Sequence, residues 1–301
     1  MGPVPSPGRT LDAMPISIIP VAPEHFPALA SICYRAFGTL QERHGVEKDF
    51  DSVETAGMVI GLFGSRSDFA GFAARDDATG KLLGSNFLQF SDPVAGVGPI
   101  TIDPDDQSRG LGRRLMRVVM DEAARRGIAQ VRLMQECINT ASLSLYTKLG
   151  FDWRECCVMM RIEPAATDDP RIRPLTAEDL PAVDRLSTEQ YGSTRVNEVA
   201  ALLKIQFPGF VLDEGRGVAG YFVPGLIGHG FATRDEHLAA LITHAGRHAP
   251  PMFHKFLLPL GEHNLHRLLL GARCRTIKMF NYMTTGPYER PTGAWVPSIG
   301  M

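Results

Sequence analysis

The residues whose spacing carries the most chemistry are Gln107-Ser108-Arg109-Gly110-Leu111-Gly112. Two glycines one residue apart, directly ahead of a periodic apolar run, put a helix start where the backbone is bare. A helix start presents unpaired N–H groups and the positive end of the helix dipole, and glycine lets an anion approach both. Arg109, Arg113 and Arg114 add positive charge at the same place. Such a site suits a phosphate-bearing ligand. An ordinary glycine-capped strand-turn-helix fits the same residues, and the G-x-G alone does not choose between the two.

The elements that must position this stretch lie on either side of it. Val97 to Ile102 is apolar and β-rich but broken by Gly98 and Pro99, which predicts a bulged or splayed strand ended by Asp103-Pro104. From Leu111 onward, Leu115, Val118, Val119 and Ala123 keep the three-four helical spacing, with Arg113, Arg114, Arg117 and Asp121 on the other side. Gly127 closes that helix, and Arg125 and Arg126 suit its negative end.

A chain of 301 residues can hold two ordinary domains with full cores. The net charge of −2 gives no electrostatic case for nucleic acid or an anionic membrane, and no apolar run approaches the roughly 18 residues of a membrane span. Neither partner is expected. Residues 1–14 are rich in proline and glycine without an apolar h-region, so a disordered tail is expected there rather than a signal peptide. Five cysteines, an odd number without a CxxC pair, predict reduced thiols, a cytoplasmic location and no zinc. The histidines crowded into the second half (His229, His237, His244, His248, His254, His263, His266) are read as scattered surface or core residues, and no metal site is predicted.

The chain repeats itself. Ile18, Pro20, Glu24, Pro27, Ala28 and Gly38 match Ile172, Pro174, Glu178, Pro181, Ala182 and Gly192 without a gap, which points to duplication. The predicted organisation is a tail over 1–14, a first domain over 15–163, a polar linker over 164–170 and a second domain over 171–301. The first half reads β-α-α-β-β-β-α-β-α-β, a mixed α/β sheet. Within it, Thr39 to Ser52 reads as a loop, and Asn139 leads into a helix through Leu143, Leu145, Tyr146 and Leu149 that stops at Gly150.

Q-S-R-G-L-G after a strand beginning V-G-P-I-T-I-D-P, followed by Asn139 and the run S-L-S-L-Y-T-K-L-G-F, resembles the paired signatures of the GCN5-related N-acetyltransferases, the GNAT superfamily. The resemblance covers about Ile16 to Ile162, and the whole chain is similar to a tandem bacterial group. It implies an α/β fold of two tandem GNAT-like domains, each a mixed, mostly antiparallel sheet flanked by helices. It also implies acetyl transfer from acetyl-CoA to a primary amine of a small molecule by direct attack. The CoA-binding residues would be Ile100, Ile102, Gln107, Ser108, Arg109, Gly110, Leu111, Gly112, Arg113, Arg114, Asn139 and Tyr146. Tyr146 would protonate the leaving thiolate, and Glu136 is the candidate general base, with Glu42, His44 and Glu47 in the acceptor wall. Cys137 is read as a strand residue. A non-catalytic acetyl-CoA sensor, or acetylation of a protein, are the alternatives, and a homodimer is compatible with any of them.

The second half departs from the pattern. Thr233 to Glu236 is too short for the signature, and aligning Gly271 on Gly150 puts Arg267 where Tyr146 stands, so this copy is expected to bind no CoA. The end of the chain, from Gly286, carries too many prolines and glycines for regular structure and is expected to pack across the groove between the halves.

Overall fold

The computed structural model describes residues 16–107 and 109–299, so the 1–14 tail and Ser108 lie outside the described residues. In the first half the order is Ile16–Pro20 (β1), Phe26–Arg43 (α1), Val53–Ser65 (α2), Phe69–Asp76 (β2), Leu82–Gln89 (β3), Val94–Val97 (β4), Thr101–Ile102 (β5), Leu111–Arg125 (α3), Gln130–Glu136 (β6), Thr140–Lys148 (α4) and Asp152–Arg161 (β7). The second half repeats it with Ile172–Pro174 (β8), Leu180–Tyr191 (α5), Val196–Lys204 (α6), Phe210–Asp213 (β9), Val218–Phe222 (β10), Gly230–Ala232 (β11), Asp235–His248 (α7), Lys255–Pro259 (β12), His263–Gly271 (α8) and Arg275–Thr285 (β13). A last strand, Ala294–Val296 (β14), follows. The duplication read from six identities is a duplication of the whole topology.

The two copies do not keep separate sheets. The strand order β1-β2-β3-β4-β6-β13-β7-β12 threads β13 between β6 and β7, while β12 pairs with the outer side of β7. All of these late pairings are antiparallel, with Phe280 opposite both Glu136 and Cys157. Each half therefore lends a long strand to the other. The side chains follow the two-residue period of a strand. Val158 and Met160 of β7 enter one second-half core, with Leu241, Leu258 and Leu265, while Cys157 and Met159 enter the other, with Tyr221, Phe280 and Trp295. In return Met283 of β13 is fully buried in the first-half core beside Leu133 and Val119. Burying side chains of this size contributes about 1.5–3 kcal/mol each, so the shared strands are a major term in the stability of both halves.

Two elements differ from expectation. Helix α1 runs on through Arg43, because its stop is Gly45 (φ +65°) rather than Gly38. The stretch read as a loop from Thr39 is thus partly helix. The chain end is also regular: β14 pairs with β11 and buries Trp295, and with β8 to β10 it completes a second sheet of five strands. On the way the tail touches both halves. Gln130 donates to the Pro287 carbonyl, and Arg290 reaches Glu155 at 3.3 Å and Glu262 at 2.8 Å. Proline and glycine shape the approach to β14, not the strand itself.

Candidate functional site

The site begins where the first sheet opens. β4 runs parallel to β6 only from Val94 to Gly96, opposite Gln130 to Arg132. Beyond Gly98-Pro99 the chain returns as β5, which pairs with β3 alone, Ser85 opposite Thr101 and Gly84 opposite Ile102. Gly84 is required there, since a Cβ would stand 2.3 Å from the Thr101 carbonyl oxygen. The result is a wedge whose two walls, β5 and the end of β6, do not pair with each other. The interruption read at Gly98 and Pro99 is its structural origin.

At the mouth of the wedge stands the start of α3. Gly110 is its N-cap with φ +76°, a left-handed conformation that favours glycine, and no side chain caps the helix. Among the described residues nothing lies within 4 Å of where a Gly110 Cβ would be, and no acidic residue stands in the first turn. The unpaired amides and the positive dipole end thus face free space. Gly112, by contrast, is a packing residue, with its Cβ position 3.3 Å from Leu145 of α4.

These elements enclose a groove of about 810 Å³. Ile100, Ile102, Gln107, Gly110, Leu111, Gly112 and Arg113 line one side, and Asn139 and Tyr146 the other. Asn139 caps α4 by accepting from Ser142 N at 3.1 Å, and Gln135 holds its carbonyl at 2.6 Å. Tyr146 packs against Phe151 and is only 6% exposed; burial pushes its phenol well up, so it keeps its proton. A third wall comes from the end of α1, with Phe37, Leu40, Arg43 and His44; of these only His44 was named from sequence, in a stretch read as a loop from Thr39. The glycine two residues past Arg43 was the signal that could have placed them.

Three of the residues named from sequence are engaged elsewhere. Arg114 turns back to β1 and donates to the Ile16 carbonyl at 2.6 Å. Arg109 is paired with Asp106. Glu136 does not line the groove: it sits 8% exposed beneath the wedge, 2.8 Å from Lys278 Nζ, and Lys278 in turn reaches Asp49 at 2.7 Å. Gln41 bridges the same two carboxylates, at 2.6 Å to Asp49 and 3.2 Å to Glu136. Lys278 belongs to β13, so the second half reaches into the first half's site. Of the acceptor-wall candidates, Glu47 is paired with Arg161 and Lys255, and Glu42 stands 3.8 Å from Lys48. Cys137, read as a strand residue, is the first residue of the turn after β6; burial, with Cys156 beside it, pushes its thiol up to about 11, which does not suit a nucleophile.

No equivalent site exists in the second half among the described residues. Only Thr233 and Arg234 connect β11 to α7, and the first turn of α7 carries Asp235 and Glu236, which would repel an anion. Arg267 lies exposed on α8 at the place of Tyr146.

A mixed sheet wedged open beside a glycine-started helix defines an α/β protein with a groove at that helix start. The sequence model of the Acetyltransferase (GNAT) family matches residues 35–151, which places a GNAT domain in the first half of the chain. Acetyl-CoA is the co-substrate of the family, and the open start of α3, free of acidic residues, with the unpaired wall of β5 fits it. The chain is 41% identical over 83 residues to a mycothiol acetyltransferase of Tsukamurella paurometabola, covering 27% of this chain and 28% of that protein. It is 43% identical over 73 residues to the [ribosomal protein bS18]-alanine N-acetyltransferase of Escherichia coli K12, covering 24% of this chain and 49% of that one. The chain thus spans about a quarter to a half of the length of these relatives. Over its whole length the fold is similar to a putative acetyltransferase from Pyrococcus horikoshii, with a TM-score of 0.77, 14% identity and coverage of 98% and 97%. It is also similar to a tandem GNAT protein from the clavulanic acid biosynthesis pathway, with a TM-score of 0.54, 13% identity and coverage of 91% and 100%. No described helix is long and apolar enough to cross a membrane.

Proposed function

We propose that this chain transfers an acetyl group from acetyl-CoA to a primary amine of a small molecule. The amine nitrogen attacks the thioester carbonyl carbon directly, a C–N bond replaces the C–S bond, and Tyr146 gives its proton to the departing thiolate. The pyrophosphate rests on the first-turn amides of α3, and β5 pairs with the pantetheine arm. What carries the proposal is that the wedge, the bare start of α3 and the buried, protonated Tyr146 converge on one groove.

His44, lining the opposite wall, is placed to take the proton from the amine directly or through water. Glu136, held by Lys278 and Gln41 behind the groove, is assigned a positioning role. A second reading, acetylation of a protein N-terminus, is favoured by the name of the Escherichia coli relative. Thiol release from acetyl-CoA over a panel of small amines and an alanine-initiated peptide separates the two. Tyr146→Phe is expected to lower kcat about 100-fold with little change in CoA affinity. A kcat within threefold of wild type would remove Tyr146 from the chemistry, and saturable CoA binding without turnover on any acceptor would favour a sensor.

A further inference from the structure

Away from the groove, at the seam between the two halves, lies a cluster that acetyl transfer does not use. His244 and His248 stand one turn apart on α7, their rings stacked at 4.2 Å, and Asp168 of the linker comes up against both. Asp168 Oδ1 is 2.7 Å from His248 Nε2 and 3.9 Å from His244 Nδ1, and the three ligand atoms lie within 4.8 Å of one another. They border a recess of about 490 Å³ closed on one side by Phe210 and Pro170.

We propose that Asp168, His244 and His248 form a binding site for a divalent transition metal such as Zn²⁺. His244 is 7% exposed, and its Nδ1 faces Asp168 without a hydrogen-bond partner, a costly state for a buried nitrogen. A metal satisfies it. Tetrahedral ligation at ordinary Zn–N and Zn–O lengths asks for ligand atoms roughly 3.3 Å apart; the two distances to Asp168 bracket that value, and all three atoms lie within 4.8 Å of one another, so the site closes by side-chain rotation. Two imidazoles and one carboxylate leave a fourth position turned to the recess, where water or an exogenous ligand fits.

The carboxylate is held in place by the packing of its own segment. A Gly246 Cβ would meet Pro164 Cα at 3.1 Å, so α7 lies directly on the linker. Ala165 N donates to the Thr243 carbonyl at 3.0 Å, and Arg247 Nη1 donates to the Ala165 carbonyl at 3.0 Å. Arg247 Nε, 3.1 Å from Asp168 Oδ1, is the group the metal displaces from that oxygen. The metal would therefore tie the linker to α7 and stiffen the seam between the halves.

The test uses the tag-free full-length protein. Zn²⁺ is titrated by calorimetry, and Co²⁺ by its visible ligand-field bands. One tight site per chain is expected for wild type and for His263→Ala, an exposed histidine elsewhere on the second half. Affinity should fall at least tenfold in His248→Ala, whose exposed side chain can be removed without harm to the fold, and in Asp168→Asn. Thermal midpoints should rise with Zn²⁺ in wild type and not in these two variants. Absence of saturable binding, or equal affinity in His248→Ala and Asp168→Asn, would overturn the site.

Discussion

Replacing Lys278 by methionine should damage a site that the second half does not itself possess. Lys278 Nζ lies 2.7 Å from Asp49 and 2.8 Å from Glu136, and its residue is only 7% exposed. Methionine keeps the length of the stem and its packing but removes the charge. Two carboxylates are then left facing each other, with only Gln41 Nε2 shared between them. Breaking a buried ion pair from one side costs about 3–5 kcal/mol, mainly because the partner charge stays buried. For a chain of this size such a loss lowers the melting temperature by roughly 10 °C. The informative control is Lys278→Met combined with Glu136→Gln, which removes one of the stranded charges and should recover half or more of the loss. In steady-state kinetics the single variant should raise the acceptor KM while CoA affinity is kept, since Asp49 and Gln41 brace the α1 wall and not the start of α3. Calorimetric melts of the three proteins read the stability arm. A midpoint within about 2 °C of wild type, or a double variant weaker than Lys278→Met, would refute the account of the cluster.

Three more outcomes follow from the same geometry. At Gly110, asparagine and aspartate both tolerate a positive φ, so they differ chiefly in charge. Gly110→Asp should weaken CoA binding at least about tenfold more than Gly110→Asn by calorimetry, and equal losses would move the pyrophosphate off α3. A fragment ending at residue 163 lacks β13 and leaves the inner edges of β6 and β7 unpaired, so it should show no cooperative melt by circular dichroism, whereas a folded, CoA-binding fragment would contradict the shared sheet. His229 is fully buried, and desolvation, then Arg195, holds its pKa well below the usual 6.5. Unfolding then releases a group that binds a proton, so this stabilisation is complete above pH 6.5 and is lost as pH falls towards the lowered folded value. Thermal midpoints should drop between about pH 6.5 and 5, and His229→Gln should flatten that slope; an unchanged slope would show that His229 is not its source.

The backbone features around the groove could be read from sequence because they are local. Gly98-Pro99, the glycines at 110 and 112, and the Asn139–Tyr146 interval each report on a feature within a few residues: an interrupted strand, a glycine-started helix and an Asn-capped helix. What could not be read depends on distant pairing. Nothing around Arg275 to Thr285 announces that this strand belongs between β6 and β7, because a half-buried strand carries the same mixed texture in either sheet. Lys278 was invisible for that reason, as a single cation in an apolar run reads as an exposed edge. Arg114 failed differently: its position on α3 was right, but the Ile16 carbonyl offers its guanidinium a closer partner than the groove. His244 and His248 form an H-x-x-x-H pair that the sequence reading overlooked in finding no metal spacing among these histidines, and the third member, Asp168, was hidden in a segment read only as a linker.

The exchange of strands also explains how a copy without a cofactor site is kept. With Asp235 and Glu236 in its first turn, the start of α7 repels a phosphate, so among the described residues the second half has no counterpart of the α3 start. Yet β13 puts Met283 into the first-half core and Lys278 under the wedge, while β12 covers the edge of β7 that would otherwise be free to pair with another chain. Removing the second half would strip the first of an inner strand, a buried cation and an edge cover together. A degenerate domain joined by a flexible linker could be lost without harm to the active one. Here the second half lends β13 to the sheet that carries the candidate site, and changes in β13 should be tolerated no better than changes in β6.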